Sequence, residues 1–311
     1  MEIIRPQTNI DFVGKNGIAV IISLVVITAG LLSLLIQCGP KYGVDFAGGT
    51  LVQVRFVEET QAGDIKAALA ELGLSSLTVQ QFGDSADEFL IRTPESGADI
   101  AQFSKRFKQA LEDRYGADKV EILRSEMVGP QVGKDLRQKG LLAVVYALIG
   151  TLIYIAWRFE FRFAVAAIAA LAHDVLVTLG IFSLFGKEID LPIIAAFLAI
   201  IGYSLNDTII IYDRIREEMA KSAGEGFSAV VNRSINQTLS RTILTSGTTL
   251  LVVVSLFIFG GGVIHDFAFA MLVGIIAGTY SSIFVASALL LFWEKRRPRK
   301  VGETISVSNS R

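Results

Sequence analysis

Six runs of roughly 18–27 mostly apolar residues constrain this chain more than any other feature: Gly17–Ile36, Gly140–Trp157, Phe163–Phe185, Leu191–Tyr212, Thr242–Phe259 and Phe267–Trp293. About 20 such residues in a helix span the hydrocarbon of a bilayer. Lipid offers no partner to backbone N–H and C=O groups, so each run can cross only as a helix that satisfies itself. The composition agrees: of 311 residues, 52% are hydrophobic and 19% charged, too apolar for an ordinary soluble protein. A polytopic α-helical membrane protein with six transmembrane helices is therefore expected. The first run is longer than the apolar core of a cleavable signal peptide, and Ile36-Gln37-Cys38 lacks a small-x-small cleavage site. Gln37 before Cys38 also argues against lipoprotein-type processing, so this run is expected to stay as the first helix.

Between the first and second runs the composition becomes that of a soluble domain, residues 39–139. Val44–Val57 alternates around Gly48-Gly49 and predicts a strand with a glycine kink. Ala62–Leu72 places Ile65, Ala68, Leu69 and Leu72 on one helical face. Leu77–Phe82 and Glu88–Thr93 predict two strands joined by a turn at Gly83-Asp84-Ser85. A helix over Asp99–Tyr115 has Ile100, Phe103, Phe107, Ala110 and Leu111 in phase, and Val120–Val128 predicts the last strand. The order β-α-β-β-α-β is that of an α+β ferredoxin-like domain, and about 90 residues can hold a modest core. The expected organisation is residues 1–38 for the N-terminus and first helix, 39–139 for the inserted domain, 140–293 for the other five helices with a polar loop over 213–241, and 294–311 for a basic, then Ser-rich, tail.

Positive charge sets the expected orientation. Arg5 and Lys15, Arg158 and Arg162, then Arg214, Arg216, Lys221, Arg233 and Arg241, and finally Lys295–Lys300 fall on one side of a six-span count. The short loops on the other side hold Lys187 and no basic residue between Gly260 and Asp266. The positive-inside rule then places both termini in the cytoplasm and the ferredoxin-like domain outside. The same reasoning accounts for the basic residues without nucleic acid. One cysteine and two histidines leave no intramolecular disulfide, multi-Cys metal site or His-rich metal centre. No nucleophile–base set or phosphate-binding loop stands out, so neither an enzyme nor a bound cofactor is expected.

Chemistry concentrates where polarity interrupts the spans. Asn206 and Asp207 sit within Gly202-Tyr-Ser-Leu-Asn-Asp-Thr. An aspartate at a span centre costs about 2.5–3.5 kcal/mol on insertion scales, and such residues face a partner, a cavity or an ion path. The pair is read either as interhelical hydrogen-bond glue or as a proton or ion site. Asp207 lies six residues before Asp213, about 9 Å at the helical rise. Arg241 opens the fifth span from the same side, so it can pair with Asp207, line a wet path with it, or snorkel to the interface. His173-Asp174 lies deeper in the third span. Adjacent helical residues point about 100° apart, so the two are not expected to share one narrow site. The polar group Asn236, Gln237, Thr238 and Ser240 is read as a solvated connector or as part of the Asp207 site. Gly274, Gly278 and Ser282 have the small-xxx-small spacing of close helix packing.

These motifs together resemble the bacterial SecD/SecF family of protein translocase subunits, within the RND superfamily. The resemblance rests on Tyr42-Gly-Val-Asp-Phe-Ala-Gly-Gly-Thr50, Ala172-His173-Asp174, Gly202 to Thr208, Asp213-Arg-Ile-Arg-Glu217, Asn236-Gln-Thr-Leu-Ser-Arg241-Thr-Ile-Leu-Thr-Ser246 and Gly278-Thr-Tyr-Ser-Ser-Ile-Phe284. It covers nearly the whole chain except the tail, and the single small outer domain matches the SecF branch rather than SecD. Ala47 departs from the pattern, where many members carry a hydroxyl residue. The resemblance implies an RND half-unit that pairs with SecD, associates with the SecYEG channel and often YajC in the bacterial cytoplasmic (inner) membrane, and uses the proton-motive force to promote export of a translocating polypeptide. It implies Asp207 as the proton-responsive aspartate and Arg241 as its functional arginine. Asn206, Asp174, His173 and Asp213 are implied as supporting polar groups, with membrane lipid and protons as the other contacts. Half of a small-molecule RND-type exporter is the alternative, and a scaffold for other translocase subunits a third reading.

Overall fold

In the computed structural model, residues 8–74, 77–82, 87–94, 100–221 and 225–296 are described. Six helices are long and apolar enough to cross a membrane: α1 (Asn16–Ile36), α5 (Pro130–Arg158), α6 (Phe161–Leu184), α7 (Leu191–Lys221), α8 (Phe227–Phe259) and α9 (Gly262–Arg296). α6, α7 and α9 form the buried centre, while α1, α5 and α8 pack around them with large exposed apolar faces. Several helices outrun the apolar runs that announced them. α7 has 31 residues, about 46 Å at the helical rise, against about 30 Å of hydrocarbon. Its last turns and the start of α8 account for most of the polar loop expected over 213–241.

Small residues let the helices approach closely. Gly30 of α1 meets Gly180 of α6 backbone to backbone; a Cβ on Gly30 would lie 2.6 Å from the Gly180 Cα. One turn further, Ser33 and Ser183 share a hydrogen bond at 2.8 Å. Gly274 and Gly278 of α9 pack on Ile200 and Ser204 of α7, and Ser282 reaches Thr208 at 3.1 Å. The small-xxx-small spacing thus serves the α7–α9 contact.

The inserted domain comprises α2 (Val44–Ala47), β1 (Gly49–Phe56), α3 (Ala62–Leu69) with a short 3-10 turn after it, β2 (Thr78–Gln81), β3 (Glu88–Thr93), α4 (Ile100–Tyr115) and β4 (Val120–Val128). Its antiparallel sheet runs β2-β3-β1-β4, the split βαβ arrangement read from the sequence. Val52, Val54 and Phe56 alternate onto the face covered by α3 and α4, where they join Ile65, Leu69, Phe89, Ile91, Phe107 and Leu111 in one core. The expected turn at Gly83-Asp84-Ser85, the helix start at Asp99, Arg5 and the tail beyond Arg296 lie outside the described residues.

Two expectations need correction. Val44–Ala47 is a helical turn, not the start of a strand. Gly48 and Gly49, at φ 78° and 118°, make the corner between it and β1. Only glycine takes such backbone angles easily, and space is short as well: a Cβ on Gly49 would lie 2.3 Å from the Thr93 carbonyl oxygen, and one on Gly48 2.8 Å from the Pro130 Cα. Second, α5 starts at Pro130, ten residues before the apolar run at Gly140. This polar first portion lies against α2, with Gly133 on the Phe46 carbonyl, and makes a continuous helix from sheet to membrane.

The domain also touches the mouth of the bundle. Gly43 N–H donates to the Ile189 carbonyl and Ile189 N–H to the Lys41 carbonyl, both at 2.8 Å. The Leu191 N–H donates to Asp45 at 3.0 Å, and Arg92 on β3 pairs with Glu188.

Candidate functional site

Inside the bundle the apolar core divides into two clusters. One gathers Phe159, Phe163, Tyr212, Ile215, Val231 and Leu290. The other gathers Phe182, Ile193, Phe197, Ile200, Met271 and Ile275. Between them along α6, α7 and α9 lies a belt of buried polar side chains, including Asp174, Ser204, Asp207, Thr208, Ser281 and Ser282. Two carboxylates in this belt have opposite surroundings.

Asp207 on α7 is fully buried. Its Oδ2 accepts one hydrogen bond, from Ser246 Oγ on α8 at 3.2 Å, and that hydroxyl also contacts Thr279 on α9 at 2.8 Å. Its Oδ1 is buried and has no hydrogen-bond partner among the described residues. An unpaired carboxylate oxygen away from water costs free energy until a proton, a water or a cation satisfies it. Of the two carboxylates, Asp207 is therefore the under-satisfied one.

Asp174 on α6 is equally buried but saturated. Its Oδ2 accepts from Ser204 Oγ on α7 at 2.6 Å and from Ser281 Oγ on α9 at 2.8 Å, while Oδ1 lies 2.9 Å from His173 Nδ1. The expectation that His173 and Asp174 could not share a site is thus overturned. Neighbouring Cα atoms are only about 3.8 Å apart, so the two side chains can turn toward each other although their Cβ directions diverge.

The remaining candidates separate. Arg241 is exposed on α8 and makes no ion pair within 4.0 Å among the described residues. It precedes Ser246 by five residues, about 7.5 Å of helix, so it lies more than a turn nearer the bundle end than Asp207 and does not bond to it. Asn206 is exposed on α7, although it falls within a span. Asp213 pairs with Arg158 at 3.2 Å at the bundle end, away from the belt. Asn236 bonds elsewhere: with Asn232 it clamps the segment before α1. The Ile10 N–H donates to Asn236 Oδ1 and the Phe12 N–H to Asn232 Oδ1, both at 2.9 Å. Gln237 binds Arg214 at 2.5 Å.

Sequence reasoning missed Ser204, Ser246, Ser281, Ser23 and Tyr280. Hydroxyl side chains are common in spans and give no periodic signal, so only their spacing from Asp174 and Asp207 in space picks them out.

A six-span half-bundle with a polar belt and a βαββαβ domain inserted after its first helix defines a class of polytopic membrane protein with buried carboxylates at its centre. The chain belongs to the SecD/SecF family. The model of "Protein export membrane protein SecD/SecF, C-terminal" matches residues 107–296, and that of the SecD/SecF GG motif matches residues 33–59, which contain the Gly48-Gly49 corner. Relatives similar over nearly their whole length are the protein translocase subunits SecF of Desulfurispirillum indicum, 47% identical over 92% of each chain, and of Magnetococcus marinus, 47% identical over 97% of each. The crystal structure of SecDF from Thermus thermophilus, described as a translocon-associated membrane protein, superposes with a TM-score of 0.84 at 37% identity over 94% of this chain. This chain spans 40% of the length of that one. SecDF in a super-membrane-facing form superposes with a TM-score of 0.67 at the same identity, over 39% of that chain.

Proposed function

We propose that this chain is the SecF half of a SecD–SecF assembly of the Sec translocase, and that proton exchange at Asp207, tuned by Arg241, lets the assembly use the proton-motive force to promote polypeptide export. The observation that carries this reading is the unpartnered Oδ1 of a fully buried aspartate. A carboxylate kept only as interhelical glue has its acceptors filled by neighbouring donors. Asp207 instead keeps an acceptor open.

The face where α7 and α8 expose Asn206 and Arg241 is where we place the SecD partner. Polar and charged groups within a span are expensive against lipid and turn toward protein or water. With both termini in the cytoplasm, as the charge pattern indicates, the inserted domain stands outside, toward the emerging polypeptide. The family resemblance adds the SecYEG channel and YajC as further partners in the bacterial inner membrane.

One proton moved through 100 mV supplies about 2.3 kcal/mol, while taking a two-state element from 1:99 to 99:1 needs about 5.5 kcal/mol. A single proton at that voltage biases the outer domain rather than throwing it, so a pH gradient or several protons must contribute. The exporter reading finds little support. The cleft of about 530 Å³ between the sheet and the bundle has a mixed lining, apolar Leu51, Phe82, Leu90, Met127 and Leu191 beside charged Asp45, Arg92, Arg124, Glu126 and Asp190, and not the purely apolar pocket that would favour a lipophilic substrate.

The test is Asp207→Asn in the assembled complex with its SecD-type partner. The expected result is loss of the proton-motive-force-dependent stimulation of export with assembly intact. Full stimulation in that variant would sink the proposal.

A further inference from the structure

The saturated carboxylate is one end of a hydrogen-bonded chain whose protons can be counted. From Asp174 it passes to His173 Nδ1 at 2.9 Å, from Nε2 to Ser23 Oγ on α1 at 3.1 Å, and from Ser23 to the Tyr280 hydroxyl on α9 at 3.2 Å. It ends where Tyr280 donates to the Ala19 carbonyl at 2.5 Å.

Each hydroxyl has one hydrogen to give. A carbonyl oxygen only accepts, so the Tyr280 hydrogen points at Ala19. Taken as a hydrogen bond, the 3.2 Å Ser23–Tyr280 contact then uses the Ser23 hydrogen, and Ser23 has none left for the imidazole. Nε2 therefore carries a hydrogen and donates to Ser23. At the other nitrogen a proton must also lie between Nδ1 and Oδ1, because a bare ring nitrogen and an ionised oxygen at 2.9 Å are two acceptors. That proton belongs either to an imidazolium facing a carboxylate or to a carboxylic acid facing a neutral ring. Both arrangements hold one more proton than a neutral histidine beside an ionised aspartate, and in both the pair has no net charge.

We propose that His173–Asp174 is a second proton-binding site, separate from Asp207, and that this arrangement of contacts is the one in which the pair holds one shared proton. With that proton removed, only one ring nitrogen carries hydrogen, and the chain through Ser23 to Tyr280 loses a link. Loading therefore ties α1 to α6 and α9. It also reaches α7, because the Ser204 that donates to Asp174 precedes Asp207 by three residues and packs on Gly278. The elements packed around the pair bring Ser23 from α1, Ser204 from α7, and Tyr280 and Ser281 from α9. Away from their ends, the membrane spans of α1, α7 and α9 have Asp207 as their one charged side chain among the described residues.

The count rests on hydrogen-bond geometry alone and stands whether or not Asp207 couples to the proton-motive force. The chain has two histidines, and His265 lies partly exposed beside Asp266 at the outer end of α9. In the complex in lipid, assembled from this chain with His265→Gln and ¹⁵N-labelled histidine and from unlabelled partner, one labelled imidazole is left to observe by solid-state NMR. The expected result at neutral pH is a protonated Nε2, and loss of that proton on raising pH together with weaker amide protection in α1. A bare Nε2 at neutral pH overturns the proposal. In an Asp174→Asn background the ring is expected to carry a single proton. Two protons there would show that the pair is not the site. Because neither readout measures export, a failed Asp207→Asn test and a failed proton count can be told apart.

Discussion

At the residue scale, two buried aspartates of the same type differ through their neighbours. Asp174 receives two hydroxyls and an imidazole; Asp207 receives one hydroxyl, at 3.2 Å. Hydrogen bonds to ionised groups contribute about 1.5–3 kcal/mol, so Ser246 is the side chain on which the geometry of Asp207 depends most directly. Ser246→Ala should lower the thermal stability of the purified complex by about 1–3 kcal/mol, the cost of leaving a buried acceptor unsatisfied. In an Asp207→Ala background the same substitution should cost little, because neighbours that interact are not additive. Equal losses in both backgrounds would show that the hydroxyl serves Thr279 rather than Asp207. Both aspartates are legible in the sequence as anomalies in apolar runs. The hydroxyls are not, since Ser204 and Ser281 gain meaning only when α7 and α9 bring them to the same oxygen.

At the element scale, helix approach is set by absent side chains. No hydrophobic force draws one apolar helix to another in lipid, so close packing and interhelical hydrogen bonds must do so. Gly30 and Gly180 bring α1 and α6 into backbone contact, which in turn brings Ser33 to Ser183 and Ser23 to His173. Gly180→Leu should therefore separate the two helices, with an overpacking cost of about 1–3 kcal/mol, read as a lower unfolding midpoint and faster proteolysis between α1 and the sheet domain. An unchanged midpoint would mean that α1 is held from elsewhere. The Gly274/Gly278 pair in α9 was visible from its spacing. Gly30 and Gly180 belong to different helices, and no pattern within one helix reveals such a crossing point.

At the scale of the whole molecule, the inserted domain meets the bundle through a junction rich in charge. Arg92 pairs with Glu188 and Lys187 with Asp266, beside Asp190 and Asp45. Burial pushes the Asp190 carboxyl up to about 6, with the Asp45 and Asp266 carboxylates adding to the shift. Burial also raises Glu188, against the pull of Arg92. An acid with a raised pKa in the folded state binds more protons there than when released, so its contribution is full below its ordinary value and is lost as pH rises through the shifted one. The junction should accordingly loosen between about pH 4 and pH 6, seen as faster hydrogen exchange at the Gly43 and Ile189 amides that bridge it. Asp190→Asn should flatten that profile; an unchanged profile would assign the effect elsewhere. Two SecDF structures match this chain at the same identity but with TM-scores of 0.84 and 0.67, so its arrangement is closer to one of those forms than to the other.

The spans, the βαββαβ order of the insert and the two aspartates within spans are legible in the residues alone, because hydropathy, period and charge are local properties that lipid and a packed core read directly. The Gly48-Gly49 pair was visible too, though as a kink in a strand. Its place at a corner between a helical turn and β1 depends on Pro130 and Thr93, which approach from far along the chain. Which aspartate is saturated and which is open, that Arg241 faces outward, and that His173 closes onto Asp174 emerge in the folded bundle alone. Hydrogen-bond partnership is a property of facing helices, and what each helix faces is settled by packing across the bundle.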